Sequence, residues 1–207
     1  MEEVFDGDIV YSQNVIDFVT VSSEYCSFVE NANRFSKADF LDKTRKLLPL
    51  LYLKGSLLSK MESIFDDGNE HFVTEEDWSF VQGLIKRKLG SNDEYRDVYD
   101  PLTHEQIEQS TGSISDNLAD LYQELKNFIT LYNVGTEEIM NDAVWECQLN
   151  FEEFWGQKLL SALKAVHVVF YGEEILEEET DLNEENENQN TNDWIISKRQ
   201  EDFRKEE

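Results

Sequence analysis

The run SISDNLADLYQELKNFITLYN, which begins at Ser113, restricts this chain more than any other feature. Ile114, Leu118, Leu121, Leu125, Phe128 and Tyr132 recur so that all six fall within one arc of about 80° at 100° per residue. Such spacing predicts an amphipathic helix with one core-facing side. Only two prolines occur in 207 residues, which likewise favours helices over strands.

Other segments repeat the pattern. Val15, Ile16, Val19, Tyr25, Cys26 and Val29 predict a first helix over 12–31. A second opens with SKAD, where Ser36 caps and Asp39 stands three residues on as in a capping box. It continues through Phe40, Leu41, Leu47, Leu48 and Leu51 to Gly55, with Pro49 expected to kink or split it. Thr74 caps a third helix carrying Trp78, Val81, Leu84, Ile85 and Leu89, and Gly90 supplies its left-handed stop.

The short NVGT link, ending at Thr136, predicts that the fourth and fifth helices are antiparallel neighbours. The fifth segment, 136–171, first shows a single apolar face of Met140, Val144, Cys147, Phe151, Phe154 and Trp155. Past Gly156, where a bend is expected, only Ser161, Lys164 and His167 interrupt an apolar surface, so this half is expected at the bundle's centre. From 173 onward EEILEEETDLNEENEN holds nine acids and no base, and is expected to stay disordered. Beyond it, Trp194, Ile195, Ile196 and Phe203 suit a short amphipathic segment.

The expected fold is all-α: a helical bundle of five to six main helices, a central buried helix near the C-terminal end, and a disordered acidic tail. The expected organisation is a bundle over 1–172, an acidic linker over 173–192 and a C-terminal segment over 193–207.

Acids outnumber bases 45 to 18, for a net charge of −27. That excess opposes nucleic acid and anionic lipid, and favours a protein partner, with basic ones attracted most. The acidic start lacks the features of a signal peptide, and LLPLLYL is too short to span a bilayer, so the cytoplasm is the expected location. Cys26 and Cys147, both on apolar helix faces, suit reduced buried thiols.

Motifs for chemistry are missing. No histidine follows a Glu by three residues, no His-Glu-x-x-His occurs, and two distant cysteines give no zinc pattern, so no metal or other cofactor is expected. There is no Gly-rich phosphate loop and no Gly-x-Ser-x-Gly elbow. DDGNEH, ending at His71, lacks the ligand alternation of a calcium loop and is expected to be a polar connector. His167 is expected to be a hydrogen-bonded core histidine.

Two constellations remain as candidate sites. Asp116, Asp120 and Glu124 repeat every four residues on the fourth helix, and Glu138, Asp142 and Glu146 do so on the fifth. Like charges at this spacing oppose helix formation, so the stripes suggest a solvated face, a surface for a basic partner or a cation-binding face. The other is EYRDVYDPLTHEQ, the one mid-chain stretch without helical pattern. Pro101 holds Asp100 out of helical conformation and Thr103 caps a new turn. One helical turn would set Tyr95 and Tyr99 on one side and pair Arg96 with Asp100, so this stretch is either a connector or a pocket lip formed with His104.

Four separated blocks in order, FLDKTRKLLPLLYLKG, DEYRDVYDP, SISDNLADLYQELKNF and TEEIMNDAVWECQLNFEEFWGQKLLSALKAVH, resemble a bacterial family of uncharacterised helical proteins, domain of unknown function 5063. The resemblance covers nearly all the chain to Tyr171 and implies a soluble single-domain helical protein with no functional residue to transfer. More distantly, DPLTH is similar to the acidic-Pro-x-Asp-His motif of molybdoenzyme maturation chaperones, with Thr103 where the second acid should stand. Together these features favour a non-enzymatic acidic protein-binding or regulatory module. The alternatives are a peptide-binding chaperone using Asp100 and His104, and a carboxylate/His-dependent enzyme or metal protein using His167.

Overall fold

The computed structural model describes residues 9–65, 68–97 and 110–172. Within them the chain is an all-α bundle. It comprises α1 (Gln13–Glu30), α2 (Lys37–Ser56), α3 (Glu75–Leu89), α4 (Ile114–Val134), α5 (Glu137–Asn150) and α6 (Gly156–Tyr171). Between α3 and α4 lies one antiparallel pair, β1 (Glu94–Asp97) and β2 (Ser110–Ser113), with Tyr95 opposite Gly112. The acidic tail and the 193–207 segment lie outside the described residues.

Local chemistry places the helix ends. The Ser36 side chain accepts from the Asp39 amide at the start of α2. At α3 both halves of a capping box form, Thr74 accepting from the Asp77 amide and Asp77 from the Thr74 amide. Three acids in the first turn of α3 and three bases in its last complement the helix dipole. Gly90 closes it at φ +57°, a backbone conformation open to glycine. Of the kink or split expected at Pro49, the split does not occur: α2 runs unbroken through it. Pro49 is exposed, so the backbone groups it leaves unbonded fall on the wet side of the helix.

The most deeply buried helix is α4, not the segment after Gly156. Helices α1, α3, α5 and α6 all pack on α4, and fifteen of its residues are buried. Full burial of Leu118, Leu121 and Leu125 contributes about 1.5–3 kcal/mol each. Helix α6 buries only Gly156, Leu159, Ala162, Ala165 and Val166, while Leu160, Val168 and Tyr171 face water. Its near-continuous apolar character therefore reflects two faces of different fate. His167 is likewise exposed rather than in the core, and its ring packs 4.7 Å from that of Tyr171.

The bend expected near Gly156 takes a definite form: one π turn, Phe151–Trp155, joins α5 to α6. A Cβ on Gly156 would lie 2.4 Å from the Phe151 carbonyl oxygen, so the widened turn needs glycine where it rejoins the α-helix. The turn points Trp155 into the core, where its indole N–H donates to the Cys147 carbonyl at 3.0 Å. Gly55 of α2 meets that ring closely, since an added Cβ would stand 3.0 Å from it.

Candidate functional site

The 94–106 stretch begins as a strand, not as a helical turn. Asp93, buried just before it, accepts from the Ser115 amide at 2.7 Å and the Ser115 hydroxyl at 2.8 Å, pinning the hairpin to the start of α4. In β1, Tyr95 lies against Gly112, where an added Cβ would come within 2.5 Å of its ring, and its hydroxyl accepts from the Asn117 amide nitrogen. Arg96 is exposed opposite Thr111. Glu94–Asp97 is extended strand rather than helix, so the expected one-turn arrangement does not form at this end. Tyr99, Asp100 and His104 lie outside the described residues.

Nor do the acidic stripes form solvated faces. Helix α4 has neighbours on several sides, so its carboxylates enter the seams between helices. Asp116 accepts from the Gln82 side chain of α3 at 3.0 Å. Asp120 accepts from the Trp78 indole at 3.0 Å and from Lys158 of α6 at 3.1 Å. Glu124 accepts from Asn150 of α5 at 2.7 Å, and burial raises its carboxyl pKa.

Of the three stripe acids on α5 only Glu138 keeps an exposed place, its pKa lowered by the Thr136 hydroxyl and its own backbone N–H. Asp142 is only 2% exposed. It accepts from the Ile64 amide at 2.7 Å, the Phe65 amide at 2.8 Å and the Ser63 hydroxyl at 3.1 Å. Asn141 beside it donates to the Glu62 carbonyl at 2.8 Å. Asn69 donates to Glu146 at 2.7 Å. The α5 acids thus anchor the connection between α2 and α3.

A small cleft, partly open to solvent, lies at this junction and brings His71 together with Glu124, Asn127, Glu146, Cys147 and Asn150. Asn127 accepts the Phe72 and Val73 amides at 2.8 and 2.9 Å, so its nitrogen is the donor toward His71 Nδ1 at 3.3 Å. That leaves the His71 proton on Nε2, facing Glu146 at 3.6 Å. The histidine beside buried carboxylates is therefore His71, from the connector, and not His167. Burial pushes the Cys147 thiol pKa well up, which disfavours the nucleophilic thiolate. Among the described residues, no three His, Cys, Asp or Glu side chains are placed to hold a metal ion.

A surface that the acidic pattern concealed lies on α2 and α6. These helices run antiparallel, with Arg45 at Tyr171 and Gly55 at Trp155. Of fifteen large apolar residues exposed among those described, seven belong to α2, its C-cap and α6: Leu50, Tyr52, Leu53, Leu57, Leu160, Val168 and Tyr171. Leu53 is 53% exposed and Val168 64%. The signal for it was present in LLPLLYL, whose leucines occupy both faces of one helix. Leu48 and Leu51 point inward, and Leu50 and Leu53 point out.

A helical bundle with stripe carboxylates drawn into its seams and an apolar face exposed among the described residues is the class defined by these features. The chain belongs to the family described as Domain of unknown function (DUF5063), which it matches over residues 9–172. It is similar to protein BF1032 from Bacteroides fragilis, whose crystal structure superposes with a TM-score of 0.70 at 40% identity. That match covers 79% of this chain and 96% of the other. No curated protein matches. Among the described residues, no helix is long and apolar enough to cross a membrane.

Proposed function

We propose that this protein is a non-enzymatic protein-binding module that meets its partner through the outer face of α2 and α6. The observation carrying this reading is the concentration of exposed Leu50, Leu53, Leu57, Leu160, Val168 and Tyr171 on one antiparallel helix pair. Singly exposed apolar residues are ordinary, but a shared patch of them marks an interaction surface. The acidic stripes contribute little to such a surface, because five of their six carboxylates accept hydrogen bonds from neighbouring elements. The net charge of −27 acts at long range on any charged partner, whereas the contact itself is made by the apolar face.

Capture of partners by the full chain at low and high salt tests this reading. The wild type is expected to retain a discrete partner that a Leu53→Asp, Leu160→Asp variant loses, with folding unchanged. A wild type that recovers nothing at either salt, or a double variant that binds undiminished, contradicts it.

A further inference from the structure

The two helices that bear the apolar face also have an unusual charge. Helices α2 and α6 together hold seven basic residues and two acidic ones, in a chain with 45 acids and 18 bases. One of the two acids, Asp42, is already shared by Arg45 and by Lys46 at 2.6 Å. Lys43, Lys46 and Lys164 are exposed, and Lys43 extends the basic band over the Phe35 ring at 4.4 Å. Lys37, Lys54 and Lys158 turn to Asn92, Asp17 and Asp120, so it is Lys43, Lys46 and Lys164 that make the outer face a basic, apolar island on an acidic protein.

The last described helix ends at this island. Helix α6 ends at Tyr171, whose hydroxyl accepts from Arg45 of α2 at 3.4 Å. The fifteen residues 173–187 then contain nine acids, no base, and three apolar residues: Ile175, Leu176 and Leu182. Their composition complements the face in both respects, carboxylates for Lys43, Lys46 and Lys164, aliphatic side chains for the bare leucines. Reach is ample. The stripe from Leu50 to Leu57 spans about 10 Å along the helix, and fifteen extended residues span about 50 Å. Attachment in cis further gives the segment an effective concentration that a separate partner must exceed.

We propose that the chain's own acidic segment, residues 173–187, lies over the outer face of α2 and α6 and competes there with the partner. This rests on the preceding reading of that face as the binding surface. Individual surface ion pairs are weak and screened by salt, so the contact is reversible and opens as ionic strength rises.

A nitroxide attached to a Thr180→Cys variant of the full chain tests this. Cys26 and Cys147 are buried, so the label goes to position 180. At low salt, amide signals of Lys46, Leu50, Leu53, Leu57 and Leu160 are expected to broaden severalfold more than those of α3 and α5. About 0.5 M salt, where the screening length is a few ångströms, should relieve that broadening. So should the Lys43→Glu, Lys46→Glu, Lys164→Glu triple reversal. Broadening confined to residues adjoining Gly172, spread evenly over the bundle, or unchanged by the triple reversal would overturn the proposal. If the tail contact proves absent while Leu53→Asp, Leu160→Asp still abolishes partner capture, this inference falls and the binding reading stands.

Discussion

Glu30 of α1 and Lys126 of α4 face each other at 2.9 Å, with side chains only 12% and 11% exposed, and the Tyr122 hydroxyl also donates to Glu30 at 3.1 Å. A pair this enclosed is costly to halve, because the remaining charge stays buried without compensation. Lys126→Met is expected to destabilise the fold by about 3–5 kcal/mol in urea denaturation. Adding Glu30→Gln should recover most of that loss. A double variant no more stable than the single one would contradict the pairing.

Asp142 fastens the α2–α3 connection to α5 through three donors on 63–65. Asp142→Ala leaves buried donors unmet, and is expected to cost about 2–4 kcal/mol. Limited proteolysis should then cut first within 57–73, ahead of any helix. A variant as resistant as wild type would show that this anchor does not hold the connection.

The stability of the fold should depend on pH through Glu124. Burial raises its folded pKa above the unfolded value, so the native state holds that proton longer. Its contribution is most favourable below the ordinary glutamate range and is lost as pH rises through the folded pKa. Glu124→Gln, which keeps an oxygen for Asn150, is expected to raise the urea midpoint at about pH 7 and leave it unchanged at about pH 4. The opposite ordering would refute the assignment.

Burial raises the pKa of both thiols, with Cys26 and Cys147 enclosed in the core. A thiol reagent at mildly alkaline pH should therefore modify neither in the native protein and both in denaturant. Rapid reaction of either thiol without denaturant would place it at the surface.

Much of the fold was legible in the residues, because helix ends and core faces are written locally. Ser36, Thr74 and Gly90 cap or stop helices where their chemistry predicts, and all six arc residues of α4 are buried. The errors arose where one helix has more than one environment. The second apolar face of α6 is exposed, and the acids of α4 lie against other helices, because a wheel shows a residue's direction but not what stands there. The cleft was illegible for another reason: His71 and Asn69 reach Glu146 from about 75 residues away in sequence. Local spacing carries no trace of such a meeting.

The most direct test of the binding surface is photocrosslinking of the full chain, in extract of its source cells, from a reactive residue placed at Leu53, at Leu160 or at Ser79. Leu53 and Leu160 lie on the proposed face, whereas Ser79 is exposed on α3. The account predicts the same discrete adduct from Leu53 and Leu160 and none from Ser79. Equal labelling from all three positions, or an adduct from Ser79 alone, would contradict it.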